Sequence, residues 1–185
     1  NHTSRYDAAA MNYELSPGDE ELRVPLTWRS DSGLTVTKTF VFRPGDYRIE
    51  VLHEVTNQGA TAWTGGQYEQ LQQSVPVDRE KGGLNDPGRY SFFGIGFYDP
   101  EDKFKKIDFD DVADEPYSKT TRKGWLAMIQ HYFFTAWIPT PDREVTYSTQ
   151  YLSGTMSPRY IARGVSPAQV VAPGASATFT GTLYV

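Results

Sequence analysis

Histidine is the side chain whose ordinary pKa lies nearest neutrality, and this 185-residue chain carries three of them. His131 is the most suggestive. It sits in GWLAMIQHYFFTAWIP (Gly124 to Pro139) and, at period two, shares a face with Trp125, Phe133 and Trp137. A histidine among aromatics has its charged form disfavoured by burial and could serve as a general acid or base. The competing reading, which the apolar surroundings favour, is a structural hydrogen bond across a sandwich. His53 falls on the inward face of its strand and reads as a hydrogen-bonded core residue, while His2 lies near the start of the chain. If a sugar-ring chemistry were present, Glu69 as base and His131 as acid would be the pair to test, although no motif ties them together.

Other chemistries find less support. Asp108, Asp110, Asp111 and Asp114 invite a calcium reading, but the run lacks the glycine and terminal bidentate Glu of an EF-hand loop and reads as a solvated acidic edge. Ser91, Ser148 and Ser157 stand in no G-x-S-x-G context. Gly94-Ile95-Gly96 is a fragment of a dinucleotide fingerprint without its third glycine, better explained by close strand packing. Lys103, Lys105 and Lys106 read as a charged strand edge that discourages pairing. No catalytic residue, metal or cofactor is expected.

The elements that must position these residues are strands. Val36, Phe40 and Phe42 fall on one face of Thr35 to Phe42, with Thr35, Thr37 and Thr39 on the other. Arg43-Pro44-Gly45-Asp46 is a turn. Its partner strand carries Tyr47, Ile49, Val51, His53 and Val55 inward, which makes a hairpin with one buried face. Further strands are expected at 22–28, 68–74, 92–98, 104–109, 145–152, 159–165 and 177–185. Polar stretches 77–89 and 110–123 read as loops. The run from Trp125 to Ile138 contains no Gly, Pro or charge and is apolar on both faces, as a strand covered on both sides would be. A four-turn helix is the rival there, and aromatic and β-branched content favours the strand. At fourteen residues the run is shorter than the roughly 20 needed to span a bilayer as a helix. Many strands with Gly/Pro turns and few helices predict an all-β sandwich, in one domain over 1–185.

Composition narrows the partners. The net charge of −5 and pI near 5.2 argue against a nucleic-acid surface, which needs a basic stripe. The absence of cysteine removes disulfides and thiolate chemistry. Aromatic residues that would form a binding groove or patch, if exposed, are Trp28, Trp63, Tyr68, Phe92, Phe93 and His131.

GWLAMIQHYFFTAWIP resembles the most recognisable segment of the large periplasmic domain in the bacterial branch of the YidC/Oxa/Alb family of membrane protein insertases. ELRVPLTW (Glu21 to Trp28), GLTVTKTFVF (Gly33 to Phe42), YRIEVLHEVTNQG (Tyr47 to Gly59), KFKKIDFDDVAD (Lys103 to Asp114) and the closing VVAPGASATFTGTLYV follow that family's order. Within the motif, Gly124, Trp125, Gln130, His131, Tyr132, Phe133, Ala136, Trp137 and Pro139 are expected to be structural. The resemblance implies a large twisted β-sandwich (a supersandwich) similar to galactose mutarotases and some carbohydrate-binding folds. It also implies a piece of a longer inner-membrane protein, facing the periplasm. The expected role is a non-catalytic docking, spacer or substrate-holding module. Its implied partners are the Sec translocon, including the SecD–SecF–YajC complex, and nascent inner-membrane proteins; the isolated domain is expected to be monomeric. The alternative is a free-standing carbohydrate-binding or mutarotase-like protein.

Overall fold

The computed structural model describes residues 4–74, 92–130, 132–153 and 157–185. The backbone gathers into two compact units, one of Asn1–Gln67 with Pro167–Tyr184, the other centred on Tyr68–Ser166.

In the first unit β1 (Asp7–Ala8), β2 (Leu22–Arg29), β3 (Leu34–Phe42), β4 (Arg48–Asn57) and β15 (Ser176–Tyr184) lie in that order, every neighbour antiparallel. The Pro44-Gly45 turn closes the β3–β4 hairpin, with Gly45 at φ 73° and the Asp46 N–H donating to the Arg43 carbonyl. Register sets Val36 opposite Val55 and Phe40 opposite Val51. Leu34, Val55 and Phe179 form a buried cluster, joined by Trp28, Val36, Trp63 and Ala177, and Trp63 meets Phe179 edge to face at 6.5 Å. The expected one-sided burial of β3 holds only in part. Thr39 and Val41 are buried on the threonine face, whereas Phe42 is exposed. Threonine presents a methyl as well as a hydroxyl, so polarity alternation misreports a strand that is covered on both faces.

A short ribbon, β5 (Trp63–Gly65) with β14 (Gln169–Val171), completes the unit. Buried Asn57 ties it down, donating through Nδ2 to the carbonyls of Thr61 and Val171 and accepting from the Gly59 N–H.

The second unit is a two-layer sandwich. One layer runs β11 (Phe133–Pro139), β10 (Trp125–Gln130), β7 (Phe93–Asp99), β8 (Lys103–Asp108). The other runs β6 (Tyr68–Ser74), β13 (Arg159–Val165), β12 (Glu144–Leu152), β9 (Ser118–Arg122). β10 and β11 pack on β13 and β6. Between the layers lie Ile95, Phe97, Leu126, Met128, Trp137, Val145 and Tyr147, all buried. The four-residue helix α1 (Phe109–Val112) buries Phe109 and Val112, with Phe109 stacked on Tyr160 at 4.4 Å.

Three expectations change here. The run from Trp125 to Ile138 is neither one strand nor a helix but the hairpin β10–β11, with Gln130 opposite Phe133 and Leu126 opposite Trp137. With no Gly, Pro or Asn to mark it, this reversal has no turn chemistry in the sequence. The stretch 110–123, read as a loop, contains β9, whose SKTTR alternates because it pairs with β12 at the sandwich edge. Phe109, placed in a strand, instead opens α1. The loop expected at 77–89 lies outside the described residues.

Candidate functional site

The hairpin β10–β11 is built as a base and a tip. At the base, Gly124 is enclosed so tightly that a Cβ would come 2.8 Å from both the Tyr98 carbonyl oxygen and a Tyr147 ring carbon. Trp125 stacks on Tyr98 at 5.8 Å, with planes 9° apart, and leans on Phe104 at 5.6 Å. Ala136, Trp137 and Pro139 are buried. These residues hold the two strands to the body of the unit.

The tip differs. Tyr132 is 81% exposed, Phe133 79% and Phe134 49%, beside exposed Gln130. Register brings Phe93 opposite Gln130 and Phe134 opposite Ile129. Phe92 lies over Gly94, where a Cβ would approach its Cζ to 2.7 Å, and the Lys106 ammonium stands 4.9 Å from the Phe92 ring centre. Gly96 likewise makes room for Phe104 and Ile129. The two glycines therefore serve close packing of rings on the sheet, as the sequence suggested. Tyr132 and Phe133, expected to be structural with the rest of the motif, lie exposed at the end of the hairpin. His131 lies outside the described residues.

The described aromatics named from sequence as groove candidates fall in different places. Trp28 and Trp63 are half-buried and pack against the core cluster of the first unit. Tyr68 is exposed on the outer face of β6, where its hydroxyl donates to Gln70 Oε1. Phe92 and Phe93 join the hairpin tip instead, in company with Tyr132, Phe133 and Phe134. What distinguishes these three in the sequence is adjacency. Three consecutive aromatics cannot all point into one layer of a strand, so at least one must face outward.

The titratable groups are arranged for structure. Glu69 is 6% exposed, in a cross-sheet row with Gly164, Tyr147 and Lys119 facing the inside of the sandwich. Burial pushes its carboxyl up to about 7, opposed by the charge of Arg143. Burial, and then Glu69, raise the Tyr147 phenol well above its usual range, and its hydroxyl has no hydrogen-bond partner. His53 in the first unit is pushed down to about 4 by burial first and by the neighbouring Lys38 second. Its Nδ1 is buried without a partner, so the hydrogen bond expected of a core histidine is not made there. Asp99 accepts the N–H groups of Glu101 and Asp102 at 2.8 and 2.9 Å. Lys119 reaches Asp99, Glu101 and Asp102 at 3.2, 3.1 and 2.5 Å, fastening the β7–β8 turn to β9. Among the described residues no three histidine or acidic side chains converge to hold a metal. A shallow depression of about 260 Å³ is lined by Arg43, Asp46, Arg48, Glu50 and Thr182. Its charges satisfy each other, Arg43 with Glu21 and Glu50, and Arg48 with Asp46.

The fold itself is the galactose mutarotase-like β-sandwich. A galactose mutarotase related enzyme from Lactobacillus acidophilus superposes with a TM-score of 0.56 at 10% identity, over 97% of this chain and 70% of that one. A galactose mutarotase-like protein from Lactobacillus casei gives 0.56 at 11%, over 97% and 72%.

Sequence relationship is closer and points elsewhere. The family described as "YidC periplasmic domain" matches residues 1–185, and the chain belongs to that family. It is 37% identical to the membrane protein insertase YidC of Thioalkalivibrio sulfidiphilus over the whole chain and 32% of that protein. Against the protein of the same name from Methylococcus capsulatus it is 38% identical, over the whole chain and 33%. The chain thus spans about a third of the length of the curated relatives it matches.

Proposed function

We propose that this chain is the periplasmic module of a membrane protein insertase, acting as a non-catalytic docking and spacing element over residues 1–185. The family match along the entire chain carries this reading. The whole protein would assist insertion and folding of inner-membrane proteins, alone or beside the Sec translocon, with the SecD–SecF–YajC complex and nascent membrane proteins as its partners. Glu69 is enclosed in the sandwich and the charges lining the depression at Arg43 and Arg48 are paired with one another, an arrangement that suits docking better than turnover.

Photo-crosslinking tests this from exposed positions on the natural gene product in inner-membrane vesicles. Adducts with Sec components or with a nascent membrane protein are expected. A protein recovered free in the periplasm, with neither adduct, would sink the proposal.

The mutarotase-like alternative draws on the fold alone, and fold does not carry activity. The enclosed carboxyl of Glu69 weighs against it. Titration of galactose and glucose, followed by anomer interconversion, is expected to show no acceleration over the buffer rate.

A further inference from the structure

We infer that the tip of the β10–β11 hairpin is a lipid-contacting device: Tyr132, Phe133 and Phe134 seat in the headgroup region of the bilayer. The inference rests on the reading above, since the relatives are named membrane protein insertases and a bilayer is then within reach.

Four observations select lipid as the occupant. First, exposure at the tip is concentrated. Tyr132, Phe133 and Phe134 are adjacent in sequence, and Phe92 and Phe93 flank them at the same end of the sheet. Clustered apolar exposure of this kind marks a contact surface, whereas single exposed hydrophobics are ordinary. Second, the hairpin from Trp125 to Pro139 contains no Asp, Glu, Lys or Arg, so it carries no permanently charged side chain that would have to be stripped of water. Third, the strands stay paired up to Gln130 opposite Phe133. With β7 on its other side up to Phe93 opposite Gln130, β10 takes its backbone groups into a water-poor layer already hydrogen-bonded. Fourth, Tyr132 is of a type enriched where membrane meets water, and Phe133 and Phe134 beside it are of the kind that interfacial segments bury in lipid.

Charge decides which lipid. Among the described residues, the charged groups beside the tip on its own sheet are Lys106 over Phe92, Asp108 opposite Gly94, and Asp110 and Asp111 in the first turn of α1. One cation against three acids there, on a chain of net charge −5, gives no attraction to an anionic surface. The contact is therefore apolar, suits zwitterionic lipid and is insensitive to salt. Its depth would be that of an interfacial segment, about 5–10 Å into the headgroup–acyl boundary.

The experiment uses the natural gene product in full, reconstituted in phosphatidylcholine proteoliposomes. A polarity-sensitive fluorophore is attached to Phe133→Cys in a background otherwise free of cysteine. A second preparation carries it at Asp142→Cys, beyond the opposite end of the hairpin. The label at 133 is expected to be quenched by lipid bearing a nitroxide near the headgroup and shielded from aqueous iodide, equally at low and high salt. The label at 142 is expected to show the reverse. Free access of iodide to both positions would overturn the inference. Shielding at 133 without lipid quenching would overturn it too, because a protein surface would then be the cover. Insertion of a test membrane protein, assayed on the same proteoliposomes, reports separately on the proposed function. If insertion proceeds while 133 stays in water, the lipid contact alone is wrong.

Discussion

The base and the tip of one hairpin share a sequence segment and hydrophobic character, yet they do opposite things. Trp137 is 9% exposed and Phe133 is 79% exposed, four residues apart on the same strand and on the same face by parity. At the base, the second layer of the sandwich lies opposite, and each large ring displaces water from another protein atom. At the tip the same side-chain type meets solvent. Hydrophobicity states a preference for burial, and the facing sheet decides whether it is met.

The difference is sharpest where truncation removes the most contact. Trp137→Ala is expected to cost about 3–5 kcal/mol, as large-to-small changes do in a packed core, and to lower the thermal midpoint steeply. A barely changed midpoint would mean that the base is not the anchor described here.

Glu69 tests the same interior through pH. Its folded carboxyl holds a proton to about pH 7, whereas the unfolded chain releases it near 4.5. Between those values the folded state binds more protons, so stability falls as pH rises, by up to about 3 kcal/mol across the window. Denaturant titrations between pH 4.5 and 7 should show this slope, and Glu69→Gln should flatten it. His53 in the other unit works in the opposite sense. Neutral when folded down to about pH 4, it takes up a proton more readily when unfolded, so its contribution to stability is lost as pH falls from about 6.5 towards 4. His53→Leu should weaken that acid-side loss.

Gly124→Ala asks how tight the base is. The added methyl would meet the Tyr98 carbonyl, which is backbone and cannot swing aside. Overpacking of this kind costs about 1–3 kcal/mol, measurable as a lower urea midpoint at unchanged slope. At the tip, Phe133→Ser should change stability by no more than about 0.5 kcal/mol. A substantial loss there would show that the tip supports the fold.

Much of this was legible in the residues. The boundaries of β6 and β13 follow from alternating runs bounded by loop residues, and β2, β3, β4, β12 and β15 differ from expectation by only a residue or two at their ends. Family membership was legible because five blocks fall in a fixed order, and order carries more information than any one of them. The reversal between Gln130 and Phe133 was not legible, because both faces of the run are apolar and no Gly or Asn announces it; the turn swaps parity, so Phe133 and Trp137 share a face with Leu126 and Met128 and not, as expected, with Trp125. β9 was missed for a related reason: SKTTR is an edge strand whose polar residues face water, which leaves no apolar stripe to read.

The sequence by itself determined that this chain is all-β, that without cysteine it forms no disulfide, and which family it joins. Those properties reside in residue type, order and spacing along the chain. Which aromatics became core and which became surface was decided only by tertiary structure. Trp28 and Trp63 were drawn against the core, Glu69 was closed in beneath the facing strands, and Tyr132 and Phe133 were left in the open. Burial depends on what stands opposite a side chain, and that neighbour comes from a strand distant in sequence.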